Sequence, residues 1–189
     1  EAVVKKKEDN LANLIGYNFR MGEIEAGIGI EQLKKLNKII YNKQRIASIL
    51  KKGLVGLKGL KIQKIQKNCT HVYYVFPMQI DEKITGVSRK KIFSALEAEG
   101  VIGLQTNFTN VHRLPIFQKK IAYGRNGFPW TINKNKKIDY RIGSCPVAED
   151  LLDNKYLGIL LCSYDYNEQD ANNIVKAFRK VWENIHLLK

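Results

Sequence analysis

Four prolines and three cysteines in 189 residues leave the chain short of the residue types that mark loop-rich, cross-linked folds. Cys69, Cys145 and Cys162 are scattered and include no C-x-x-C pair, so neither a disulfide framework nor a four-ligand zinc site is signposted. No apolar run reaches the ~20 residues that a membrane-spanning helix needs. The chain opens on Glu1 rather than Met, with no basic-then-apolar leader behind it. The expectation is a piece of a longer cytoplasmic protein with reduced thiols. Phosphate-loop and nucleophile-elbow signatures are missing. Gly27-Ile28-Gly29 lacks both the third glycine and the preceding strand of a dinucleotide loop. With 44% hydrophobic and 26% charged residues, the composition is that of a globular protein and excludes disorder, collagen and coiled coil.

Acidic residues are also scarce. Eighteen Asp and Glu face 32 Lys and Arg, for a formal charge of +14. Such an excess suits a nucleic acid, an anionic membrane or a phosphorylated small molecule. Only seven of those cations are Arg, however, whereas base and phosphate readers lean on its bidentate fork. No nucleic-acid module accompanies the charge, so a nucleic-acid partner is not expected. Lys58, Lys61, Lys64 and Lys67 recur every third residue, which reads as a solvated face.

Apolar residues from Met21 to Leu50 recur at helical spacing without a proline, which predicts one long helix ending near Lys52-Gly53. Gly27 and Gly29 inside it suggest a close neighbour near its start. His71 to Phe76 is β-branched and aromatic and predicts a buried strand. Ser88 caps a helix that Gly100 stops, a short strand follows over Val101–Gln105, and Leu157–Leu161 reads as another. Asn167 caps a last amphipathic helix, with Ala171, Ile174, Phe178 and Val181 on one face. The class is α/β, a small sheet covered mainly on one side. Residues 107–143 form an unusually long irregular stretch, the kind that often carries function. Of the three histidines, His71 lies in the apolar strand and His186 in the last helical turn. Only His112, beside Asn110 and Arg113, stands in that loop.

One run carries far more information than these patterns. Gly16-Tyr17-Asn18-Phe19-Arg20-Met21, with Glu23, Ala26, Gln32 and Leu33 after it, closely resembles the G-Y-N-Y-R-M signature of the DegT/DnrJ/StrS family. These are pyridoxal-phosphate-dependent aminotransferases acting on nucleotide-linked keto sugars. The resemblance continues through the long helix and Tyr73–Pro77. Val101-Ile-Gly-Leu-Gln105 through His112-Arg-Leu-Pro-Ile-Phe117 is similar to the family's strand and its Pro-x-His loop, and Cys145-Pro-Val-Ala-Glu149 and the last helix also fit.

The resemblance implies the C-terminal portion of a fold-type-I aminotransferase, a long helix plus a small, mostly antiparallel sheet with helices on one side. Residues 1–20 would close the large domain and form an active-site loop, 21–53 the connecting helix, and 54–189 the small domain. The family's Schiff-base lysine, in a Ser-x-x-Lys segment, would lie upstream of Glu1, so this chain alone is expected to be inactive. The implied reaction passes an amino group, usually from glutamate, to a nucleotide-linked keto-deoxy sugar used in surface polysaccharide or glycan synthesis, in a homodimer with shared active sites. Asn18 would reach the neighbour's cofactor phosphate, with Arg20 beside it. On the substrate side the resemblance implies His112, with Arg113, Asn107 and Arg125 as further candidates. Arg125 and Trp130 belong to residues 124–139, read first as a surface loop and second as a lid over the nucleotide, in which Arg125 would hold phosphate and Trp130 would stack. Asn107 stands where a His is common in the family and Asn110 replaces the Pro, which bears on sugar specificity.

Overall fold

A computed structural model describes residues 19–124, 126–132 and 138–189. The described residues fall into two compact units, one ending at Ile39 and the other running Ile40–Lys189. The boundary lies inside one continuous helix, α1 (Glu23–Leu54). Acidic residues in its first turn (Glu23, Glu25) and basic ones in its last (Lys51, Lys52) complement the helix dipole at both ends.

In the second unit a four-stranded antiparallel sheet is built from β1 (Leu60–Ile62), β2 (Phe76–Ile80), β3 (Leu104–Gln105) and β4 (Tyr156–Ile159), in the spatial order β1-β2-β4-β3. Met78 stands opposite both Ile62 and Leu157, and Ile159 opposite both Phe76 and Leu104. Alternation along β2 turns Phe76, Met78 and Ile80 inward. They meet Ile46, Leu50 and Leu54 of α1, Ile92 and Leu96 of α3 (Arg89–Ala98), and Ile174 and Phe178 of α6 (Glu168–Glu183) in one buried cluster. The opposite face is only partly covered. There Leu151 and Leu152, in a π-helical turn (Leu151–Lys155), line a groove with Pro77, Gln79 and Tyr156.

Both capped helices form as their sequences specify. Ser88 accepts the Lys91 N–H at the start of α3. Asn167 and Asp170 exchange side-chain-to-backbone bonds of 3.0 and 2.9 Å at the start of α6, a reciprocal capping box. Two short helices complete the early part of the unit and the loop, α2 (Glu82–Thr85) and α4 (Pro115–Lys119).

Four expectations need correction. The strand expected over 71–76 begins only at Phe76, because Tyr73 adopts a left-handed φ of 53° and its N–H turns back onto His71 Nδ1 at 2.8 Å. The aromatic character of that stretch reflects Tyr73 stacking on Phe76 at 6.1 Å in the core rather than ladder pairing. Helix α1 runs through Gly53, and the left-handed turn comes at Gly56 (φ 88°). Gly53 instead permits close contact with α6, since a Cβ there would lie 2.4 Å from a Val175 methyl. Gly27 and Gly29, read as points of close packing, have nothing within 4 Å of a would-be Cβ among the described residues. His186, placed in the last turn of the final helix, lies in a short 3₁₀ turn beyond α6.

Candidate functional site

The long irregular segment is pinned to the rest of the second unit by chemically distinctive residues. After β3, Phe108 lies against Tyr156, with ring centres 5.4 Å apart, and Tyr156 accepts a 2.9 Å bond from Gln105. The chain then makes a 3₁₀ turn over Val111–Arg113. Across from it, Pro146 at the first position of α5 (Pro146–Asp150) pre-sets the helix, and Glu149 one turn on is buried, with 7% exposed. Its carboxylate reaches back over the helix start to the backbone N–H of Gly143 (2.9 Å) and of Cys145 (3.1 Å). It also meets Nε2 of His112 at 3.0 Å and accepts from the Arg113 guanidinium at 2.8 Å. Arg113 is held on its other side by Asp153, at 2.8 and 2.9 Å.

So many donors around one carboxylate favour its ionised form. The Arg113 guanidinium first, then the Gly143 and Cys145 amides and His112, hold the Glu149 carboxyl down at about 2 against the opposing effect of burial. Arg113 is pushed up by its bonds to Asp153 and Glu149. The turn is thus fastened by charge-assisted bonds, stronger than neutral ones. Two buried donors, Asn110 Nδ2 and Arg113 Nε, have no partner among the described residues. The rest of the loop has its own small apolar centre. Phe117 packs on Tyr140 and Trp130 at 5.3 and 6.2 Å, and the Trp130 indole donates to Tyr140 at 3.0 Å.

The expected site residues therefore separate. His112 and Arg113 come together on Glu149. Arg113, expected to bind substrate, has both terminal nitrogens engaged by carboxylates. Asn107 is exposed and takes only a 3.4 Å bond from Thr106. Trp130, considered as a stacking platform, packs within its own loop. Arg20 is exposed, while Asn18 and Arg125 lie outside the described residues. Glu149 is the residue sequence reasoning missed. Its signal was an acid three residues after a proline that opens a helix, placed to satisfy amides at that helix's N-terminus.

Comparison with known proteins gives the chain a family. The DegT/DnrJ/EryC1/StrS aminotransferase family matches over residues 2–156, a stretch holding α1, β1 to β3, the His112 turn and Glu149. The chain belongs to that family. It is 30% identical over 122 residues to the spore coat polysaccharide biosynthesis protein SpsC of Bacillus subtilis, covering 65% of this chain and 31% of SpsC. The matched stretch thus spans under a third of SpsC. Its fold is shared with S. venezuelae DesV (TM-score 0.67, 20% identity, 94% of this chain and 41% of DesV). It is also shared with Helicobacter pylori PseC, an aminotransferase involved in the biosynthesis of pseudoaminic acid (TM-score 0.61, 17% identity, 90% and 40%). The α/β architecture expected above is that of the C-terminal part of these DegT-family aminotransferases.

Members of the DegT/DnrJ/EryC1/StrS family use pyridoxal phosphate, and among the described residues no lysine is set to hold it. A Schiff-base lysine works in an enclosed, desolvated setting, whereas no described lysine is buried. What the described residues offer in the irregular segment is a buried anion holding a histidine. Its Asn110, where the family's loop has Pro, is 7% exposed.

Proposed function

We propose that this chain is the C-terminal portion of a pyridoxal-phosphate-dependent aminotransferase that moves an amino group, from glutamate, onto a nucleotide-linked keto-deoxy sugar destined for a surface polysaccharide or glycan. The observation that carries this reading is membership of the aminotransferase family across residues 2–156. The Gly16–Met21 run lies within that match. Pyridoxal phosphate, when bound, supplies the electron sink. The Schiff-base lysine belongs to a preceding part of the protein, and this chain alone does not transaminate.

Within the reading, this chain's residues bind and orient. Asn18, a short uncharged donor, bonds the cofactor phosphate of the neighbouring subunit in a cytoplasmic homodimer, with Arg20 supporting the same loop. His112, Asn107 and Arg125 face the sugar nucleotide. Arg113, engaged by Glu149 and Asp153, holds the turn that presents them.

The test is to express the full-length protein with pyridoxal phosphate, supply glutamate and a nucleotide-linked 4-keto-6-deoxy hexose, and follow amino-sugar formation by mass spectrometry. Transfer is expected, and its absence with every amino donor would sink the reading. Asn18→Ala is expected to weaken cofactor binding about tenfold, the worth of one directed hydrogen bond, measured as a dissociation constant.

A further inference from the structure

The contact between His112 and Glu149 fixes more than the position of the loop. The distance is from Nε2, at 3.0 Å to one carboxylate oxygen, and the carboxylate is buried among four other donated bonds. An ionised carboxylate can only accept. A neutral imidazole carries one ring proton, and a carboxylate at Nε2 requires that proton to sit there. The other ring nitrogen, Nδ1, has no hydrogen-bond partner among the described residues, and 11% of the side chain stays exposed. Arg113 and Asp153, also charged and packed on this turn, satisfy one another on the far side of the carboxylate.

We propose that Glu149 is a positioning residue that holds His112 as its Nε2–H tautomer and so presents Nδ1 as a hydrogen-bond acceptor for a hydroxyl of the ligand. This rests on the reading that the His112 turn faces the substrate, and it deepens that reading. A bare acceptor recognises an O–H donor and repels an anionic oxygen. His112 therefore reads the sugar of a sugar nucleotide, and its diphosphate is bound elsewhere. The same carboxylate ties His112 to Gly143 and Cys145, so the acceptor's direction is set by the start of α5.

The full-length holoprotein, labelled with ring-15N histidine, tests this at pH 8. His112 is assigned by its loss in His112→Gln. The expected spectrum has Nε2 protonated and Nδ1 bare. A protonated Nδ1, whether in the other neutral tautomer or in an imidazolium, overturns the assignment. In Glu149→Gln the amide offers a donor at this position, and the His112 signals should shift toward the Nδ1–H form, which a purely structural role would not require. Unchanged signals there overturn the control by Glu149.

The ligand half is tested separately by adding UDP-glucose or dTDP-glucose, with UDP and dTDP as controls. Movement of the Nδ1 resonance with the sugar nucleotides and not with the bare diphosphates is expected. Movement with the bare diphosphates as well, or with none of the four, overturns the hydroxyl-acceptor role. His112→Gln supplies an independent check, because its amide can still donate to Glu149 while no atom replaces Nδ1. It should keep the thermal midpoint and weaken sugar-nucleotide binding about tenfold, as expected for one lost hydrogen bond. Unchanged binding overturns the proposal even where the tautomer is as assigned. None of these readouts depends on transamination, so their failure is distinguishable from failure of the aminotransferase reading.

Discussion

Glu149 accepts bonds from two backbone amides, an arginine and a histidine, and that crowding makes the loop's attachment dependent on one ionisation. Its carboxyl is held at about 2, below the ordinary value of 4.5, with Arg113 the largest cause. A carboxyl depressed by folding stabilises the fold fully above its unfolded value, and the contribution fades as pH falls toward the folded one. The window is therefore between about pH 4.5 and pH 2. Trp130 sits in the pinned loop and Trp182 is half-buried against the core, stacked on Phe178. In Trp182→Phe, acid titration of Trp130 fluorescence is expected to show the loop releasing inside that window. Arg113→Ala should move the transition upward, because it removes the main stabiliser of the anion. A midpoint unmoved by Arg113→Ala would show that Glu149 does not fasten the loop. The sequence made His112 and Arg113 visible because both are conspicuous in an irregular stretch. It hid Glu149, which looks like any acid near a helix start until the fold brings residues 36 and 37 positions away onto it.

At the scale of elements, the helices were legible because their signals are local. Ser88 and Asn167 cap the helices they precede, and the apolar face of α6 is the buried one. The segment 71–75 was not, because composition reports burial and cannot distinguish a strand from a turn that buries the same rings. Glycines in α1 show the same limit, since one residue type serves two situations. At Gly53 a methyl would come within 2.4 and 2.6 Å of the two Val175 methyls, and the β-branched side chain has little room to turn aside. Gly53→Ala gains roughly 0.5–1 kcal/mol of helix propensity. Overpacking costs about 1–3 kcal/mol, so the net effect should be destabilising by about 1 kcal/mol. Gly27→Ala meets open space and should keep the propensity gain. Urea unfolding of the two variants checks the opposite signs, and stabilisation by Gly53→Ala would mean the two helices separate easily.

For the molecule as a whole, the formal charge of +14 and the apolar surface of the first unit make opposing demands. Met21, Ile24, Ile28 and Leu33 are each more than half exposed, and Lys34, Lys35 and Lys38 stand exposed among them. Apolar surface of that kind gains free energy when a second surface covers it. The lysines oppose contact between copies, and repulsion between exposed charges is screened beyond ~10 Å at 0.1 M salt. The isolated 189-residue chain should therefore self-associate, and do so more as salt rises from low concentration. Nucleic-acid binding driven by the same lysines would have the reverse dependence, weakening steeply as counterions compete. Sedimentation velocity across a salt series, with and without a DNA oligonucleotide, separates the two by the sign of the slope. Association that grows with salt assigns the exposed face of α1 to protein contact and leaves the lysines as its solvated surround. Association that vanishes with salt, alongside tight DNA binding at low salt, would instead give the charge a partner that the scarcity of arginine argues against.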